Sequence, residues 1–281
     1  MLRLFLFAFA LLSGCKQSVP ADFPVSPCKA RSFEGSRFTV CSLGNGEVNL
    51  KMEDPSGTPY RSFESLEAAL GARARDVAFA MNAGMFDEKG EAIGLYVEDG
   101  RQLHPINLRK GGGNFHLLPN GVFLVRKSGR SEIVQSPRFE SSNDIRFATQ
   151  SGPMLVIDGK IHPKFAPDGE SRNLRNGVGI SPSGIPIFVI SEDPVSFGKL
   201  ARFFKDSLGA RNALYFDGTV SSLWDPANGR RDSHDELGPM VVVFKGGASA
   251  PGPASRARSS SPGPSQRRHG PEGAGPLQKQ P

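Results

Sequence analysis

Asn212-Ala-Leu-Tyr-Phe216 runs directly into Asp217-Gly218-Thr219-Val220-Ser221-Ser222. A short apolar strand ends in a carboxylate, and small and hydroxyl-bearing residues follow it. Loops at strand ends are where sheet proteins aim polar groups at a ligand. A second apolar run, Val77-Ala-Phe-Ala-Met81, ends the same way in Asn82-Ala83-Gly84-Met85-Phe86-Asp87. A third polar cluster, Ser171-Arg172-Asn173-Leu174-Arg175-Asn176-Gly177, precedes the strand-like Val178-Gly-Ile-Ser181. Three polar junctions far apart in sequence are the raw material of one pocket.

Working outward, further apolar runs at 93–97, 121–125, 154–157, 185–190 and 240–244 read as strands. Asp99-Gly100, Asn120-Gly121 and Asp158-Gly159 predict hairpin turns. Residues 65–74 read as a helix capped by Ser62 or Ser65. Phe197, Leu200, Ala201, Phe204 and Leu208 share a helical face, and Gly209 is placed to end that helix. Many strands and two or three helices predict an α+β (mixed α/β) fold: one domain with a strand-rich mixed sheet core, not a doubly wound dinucleotide fold.

The ends of the chain read differently. Residues 1–14 carry one positive charge and an apolar run too short to span a bilayer, and Leu12-Ser13-Gly14-Cys15 resembles a bacterial lipobox. That resemblance implies cleavage before Cys15, acylation of its thiol and a membrane anchor in the cell envelope facing the periplasm; an ordinary signal peptide with an incidental cysteine is the alternative. Lys16 in place of an aspartate favours the outer membrane. Residues 15–27 would then be a tether, 28–245 the folded domain, and 246–281, rich in Pro, Gly, Ser and Arg, a disordered tail. Cys28 and Cys41 remain as an even pair in an exported context, which favours a disulfide over buried thiols or a metal pair.

The formal net charge of +6 comes from these ends. Arg3, Lys16 and five basic residues against one acid beyond residue 245 account for it, leaving 27 basic and 27 acidic residues between. A neutral body excludes a nucleic-acid groove, which needs a net basic face.

The polar junctions supply the chemistry. Arginine offers a planar fork that matches phosphate or carboxylate oxygens, Gly84, Gly177 and Gly218 let backbone approach a ligand, and a carboxylate alongside can act as nucleophile or base. Each feature has a plainer rival: Asp217 suits a turn cap, Arg175 a structural ion pair, Gly111-Gly112-Gly113-Asn114 a flexible turn, and Trp224 core packing. His104, His116, His162 and His234 show no metal spacing; the acidic loops offer oxygen ligands for Ca²⁺ or Mg²⁺ without an EF-hand-like pattern, and no cofactor is firmly implied.

Four motifs in order, Asn82-Ala-Gly-Met-Phe, Arg175-Asn-Gly-Val-Gly179, the helix beginning at Phe197 and Asn212-Ala-Leu-Tyr-Phe-Asp-Gly-Thr-Val-Ser221, resemble the phosphodiester glycosidase family. The resemblance covers roughly residues 77–244. The family motif reads Asn-Gly-Gly-Phe-Phe at the first junction and Asp-Gly-Gly-Gly-Ser at the last, so Thr219 and Val220 replace two glycines. It implies hydrolysis of a sugar 1-phosphodiester in a glycan or glycoconjugate. Asp217 would be nucleophile or base, Arg175 the phosphate clamp, and Asn82 and Ser221 the groups that orient phosphate or sugar hydroxyls. Gly84, Asn176 and Gly218 would stand beside the substrate, and Glu192 would be a reserve carboxylate. The leaving group is a phosphate anion, already a weak base, so it needs charge stabilisation more than protonation. The alternative function is a non-catalytic envelope lipoprotein that holds a glycan or phosphate-bearing polymer in the same pocket.

Overall fold

The computed structural model describes residues 26–42 and 45–246; the leader, Cys15, most of the tether and residues 247–281 of the tail lie outside them. Chain order gives β1 (Cys28–Phe33), β2 (Ser36–Cys41), β3 (Glu47–Lys51), α1 (Phe63–Leu70), β4 (Val77–Asn82), β5 (Tyr96–Glu98), β6 (Arg101–His104), β7 (Gly121–Arg126), β8 (Ser131–Gln135) and β9 (Ile145–Ser151). Then follow β10 (Met154–Ile157), β11 (Lys160–Ile161), β12 (Asn176–Ile180), β13 (Pro186–Ser191), α2 (Phe197–Arg202), β14 (Ala213–Tyr215), β15 (Leu223–Asp225), β16 (Arg230–Arg231) and β17 (Met240–Phe244). They form three sheets, ordered β1-β2-β13-β12-β14-β10-β11, β16-β15-β4-β17-β3 and β6-β5-β9-β7-β8. This is the strand-rich α+β domain expected, but its sheets are not mixed: the registered strand pairs are antiparallel throughout.

The centre is where the three sheets meet. Phe188 of β13 stands edge-on to Phe79 of β4 and Phe123 of β7, at 5.6 and 5.8 Å between ring centres. β4 and β17 are buried on both faces, which explains their unbroken apolar sequences. Their alternate residues serve two layers: Phe79, Met81, Val241 and Val243 enter the central cluster, while Ala80, Met240 and Val242 pack with Phe63 and Leu66 of α1, joined by Val77 across the register shift at the start of β4. Trp224 belongs to this second layer, so it is packing and not a sugar platform.

Local chemistry sets the element ends. The Ser62 hydroxyl caps α1 by accepting from Ser65 N–H. Gly71, at φ +52°, ends the α-helix, and the chain continues as a 3-10 stretch over Gly71–Asp76, so the expected helix is present but changes type before residue 74. Ser196 caps α2 through Lys199 N–H, and the chain continues through a wide turn over Phe203–Ser207 that buries Phe203 and Phe204. Asp99-Gly100 and Asp158-Gly159 both take positive φ and join hairpins as expected. Asn120-Gly121 does not turn. Asn120 is buried with its amide donating to Phe115 O, and Gly121 opens β7; the hairpin to β8 turns instead at Gly129. Cys28 and Cys41 face each other across β1 and β2 and form the expected disulfide.

Candidate active site

The junctions after β4, before β12 and after β14 do meet, because β12 pairs with β14 and the end of β4 is tied to both. Asn82 is the knot. Its amide donates to Asp217 O at 2.6 Å, and its Oδ1 accepts from Ser222 N–H at 2.9 Å and from Asn176 Nδ2 at 2.8 Å. Asp217 N–H donates to Ala83 O, and Phe216 N–H to Asn176 O. The side chains of Asn82 and Asn176 are therefore spent on holding three chain segments together. Neither lines the cavity beside them, so an orienting contact from Asn82 to substrate is not what the geometry offers.

That cavity encloses about 330 Å³ and is lined by Arg175, Tyr215, Gly218, Ser221, Asn114 and Asp235, with Ser171, Asn173, Leu174, Thr219 and His234. Arg175 is its deepest charge, only 1% exposed. The backbone around it is pinned at the end of β13: its N–H donates to Ser191 Oγ, and Ser191 N–H donates to its carbonyl. Its Nε donates to Val195 O at 2.9 Å, Nη2 to Ser171 O and Oγ, and Nη1 to the Tyr215 hydroxyl at 3.3 Å. The guanidinium lies 3.7 Å from the centre of the Phe197 ring. Four of a guanidinium's five N–H groups are thus used, all on neutral acceptors. Among the described residues no carboxylate pairs with it, and burial pushes its pKa down against the weaker pull of Tyr215. A buried cation without a counter-ion is costly, and an anion in the cavity would relieve that cost.

Asp217 is half-buried and does not line the cavity, although its neighbours Gly218 and Thr219 do. One carboxylate oxygen accepts from Thr219 N–H at 3.2 Å, a local cap. Burial raises its pKa, the Thr219 donors oppose this, and the charge of Asp235 adds to the rise. Ser221 does reach the cavity, with its hydroxyl donating to Gly218 O. Gly218 is required by close approach: a Cβ there would stand 2.0 Å from the Tyr215 hydroxyl.

Two expected residues stand elsewhere. Gly84 is a packing glycine, where a Cβ would meet Thr149 Oγ1 at 2.3 Å and Gln150 O at 2.7 Å. Glu192 accepts from Thr39 Oγ1 and Arg230 Nη1, both at 2.6 Å, in an ion-pair network that does not line the cavity. Tyr215, His234 and Asp235 were missed as site residues: the first reads as an apolar strand position, and the others lie in a loop without periodicity. Among the described residues no cluster of three His, Cys, Asp or Glu stands ready for a metal ion.

Comparison with known proteins places this arrangement. The family model described as phosphodiester glycosidase matches residues 75–243. The chain is 37% identical over 177 residues to the uncharacterized protein YigE of Escherichia coli (strain K12), an alignment covering 63% of this chain and 69% of that one. The catalytic domain of zebrafish N-acetylglucosamine-1-phosphodiester alpha-N-acetylglucosaminidase, a structure auto-inhibited by its pro-peptide, superposes with a TM-score of 0.53 at 17% identity, over 78% of this chain and 81% of that one. A hypothetical protein from Synechocystis gives 0.51 at 14% identity, over 78% and 61%. At such identities the two structures speak for the fold alone. The matched segment, however, runs from the turn before β4 into β17 and contains the three junctions and the cavity they enclose, and on that match the chain belongs to the phosphodiester glycosidase family.

Proposed function

We propose that this protein hydrolyses the bond between a sugar's anomeric carbon and phosphate in a 1-phosphodiester of an envelope glycan or released glycoconjugate. The observation that carries this reading is Arg175, a buried guanidinium with one N–H left over, on the wall of a polar cavity and without a carboxylate partner among the described residues. In the proposed reaction water attacks the anomeric carbon. The carbon–oxygen bond breaks with its electron pair on the phosphate oxygen, and the water proton passes to a carboxylate. The phosphate departs with one more negative charge, which Arg175 stabilises. Asp217, beside the cavity wall formed by its neighbours Gly218 and Thr219, is the base, strengthened by the burial that raises its pKa, and Asp235, the carboxylate that lines the cavity itself, is the alternative. The leader and Leu12-Ser13-Gly14-Cys15 support a lipid-anchored protein facing the periplasm, in the outer membrane on the strength of Lys16.

A specific observation favours the non-catalytic alternative, a lipoprotein that binds a glycan or phosphate-bearing polymer. Asp217 spends one oxygen on capping Thr219, and Thr219 itself faces the cavity where the family motif has glycine. The decisive experiment offers the full-length protein methyl and aryl esters of GlcNAc 1-phosphate and related sugar phosphodiesters, with Asp217→Asn and Asp235→Asn alongside. Turnover lost in one of the two variants assigns the base. No turnover across the panel, together with measurable glycan binding, removes the hydrolase reading.

A further inference from the structure

Tyr215 closes β14 with its ring buried and its hydroxyl on the cavity wall. Phe197 packs edge-on against it at 4.8 Å, and Phe165 stacks on Phe197 at 5.0 Å. A phenylalanine would complete this aromatic row equally well, so the hydroxyl needs its own explanation. It accepts from Arg175 Nη1 at 3.3 Å, and the Gly218 backbone is pressed against it so closely that no side chain fits between. Arg175 is a donor to it, and the Gly218 backbone N–H also favours its charged form. Among the described residues the hydroxyl has no acceptor for its own proton, although the side chain is only 2% exposed. A buried hydroxyl that accepts from a cation and has no protein acceptor within hydrogen-bond distance has the open cavity left for its hydrogen. Burial also holds the phenol above its ordinary pKa, against the pull of Arg175, so the proton stays in place at neutral pH.

We propose that the Tyr215 hydroxyl and the remaining Nη1 hydrogen of Arg175 form a two-donor seat for one phosphoryl group, with Tyr215 donating directly to a phosphate oxygen. This deepens the hydrolase reading and rests on it for the identity of the anion. The two donor atoms are 3.3 Å apart, close enough to converge on a single oxyanion. Charge on that oxyanion grows as the anomeric carbon–oxygen bond breaks, so the Tyr215 donor bears on kcat as well as on binding.

The test is calorimetric titration of GlcNAc 1-phosphate into the full-length wild type, Tyr215→Phe and the control Tyr60→Phe, with the near-ultraviolet tyrosine difference spectrum recorded alongside. Tyr215→Phe should bind about ten- to a hundredfold more weakly, the worth of a hydrogen bond to a charged group, and lose the difference band; Tyr60→Phe should keep both. Gly218→Ala keeps the phenol but drives a Cβ into its hydroxyl, so it should lose binding to a similar degree and serves if Tyr215→Phe folds poorly. Equal affinity in Tyr215→Phe and wild type overturns the seat, as does a wild type that binds no sugar phosphate. Tyr215-dependent binding without turnover of any glycosyl phosphodiester leaves the seat standing and removes the hydrolase reading. Turnover unaffected by Tyr215→Phe does the reverse.

Discussion

Arg175 and Arg230 are both withdrawn from solvent, and they meet opposite fates. Arg230 is held by Glu192 at 2.6 Å and Asp232 at 2.9 Å. Burial alone would lower its pKa, but those two carboxylates raise it above the ordinary arginine value. Arg175 is more deeply buried, touches carbonyls, hydroxyls and an aromatic face, and its pKa falls. A folded chain satisfies a structural guanidinium from within. One left with neutral partners beside a cavity is best explained by an anion from outside, and this contrast separates the site from the scaffold.

The sharpest way to break the contrast is Arg175→Met. If the cavity binds an anion, sugar phosphate hydrolysis should fall on the order of 10³-fold. The melting temperature should hold or rise, because an unpaired buried charge has been removed. Loss of stability together with activity would make Arg175 a structural residue after all.

Asp217→Asn comes next, with turnover down about 10²-fold or more if Asp217 is the base. Asparagine caps as well as aspartate, so the turn over Gly218–Val220 should survive. The sign of the pH effect follows from the raised pKa. Above its ordinary 3.8 the unfolded carboxyl has released its proton while the folded one still holds it, so this residue costs stability as pH rises through that window. The variant should therefore gain on the wild type between acid and neutral pH in paired denaturation curves. Wild-type activity should fall as acid protonates Asp217, from a pH above 3.8.

Reducing the Cys28–Cys41 bridge acts on the scaffold. The half-cystines are 13 residues apart, a loop worth about 3 kcal/mol on the chain-entropy account. The bridge ties β1 to β2, and β2 lies against β13, whose last residue, Ser191, holds the Arg175 backbone. A lower melting temperature in reductant, with sugar phosphate affinity unchanged at temperatures where the protein stays folded, would show that the site needs β13 but not the covalent link.

Much of this was legible from residue order. The runs that became β4, β7, β10 and β17 were plain because they are buried strands of unbroken apolar character. Among the strands that escaped notice, β1, β6 and β8 are only partly buried, and β1, with four exposed residues, carries almost no hydrophobic signal. β9, by contrast, is buried nearly throughout and is hidden because Arg146, Thr149, Gln150 and Ser151 break its apolar run. The three junctions were right as a meeting place and incomplete as a description of roles. Asn82 and Gly84 stand at a strand end, where sequence reads chemistry, yet their atoms serve a backbone knot and a close sheet contact. Tyr215 was hidden in the opposite way: its ring satisfies the strand's apolar pattern while its hydroxyl emerges in the cavity. Side-chain direction at a strand's last residue depends on register, and register is set by partners distant in the chain.

Arg230→Met is the mildest test and completes the comparison. It strands Glu192 and Asp232 without their cation. Fully buried, such a loss would cost several kcal/mol, but Arg230 remains 28% exposed and its partners 29% and 19%, so water screens much of it. Thr39 continues to donate to Glu192, and Leu223 N–H to Asp232, which limits the damage further. A loss of about 1–2 kcal/mol is expected in denaturant titration, with sugar phosphate affinity untouched. The pair of variants then separates the two arginines by opposite readouts, since Arg175→Met should remove binding and spare stability. If Arg230→Met weakens binding as much as Arg175→Met does, the network around Glu192 belongs to the site, and the boundary drawn between site and scaffold is in the wrong place.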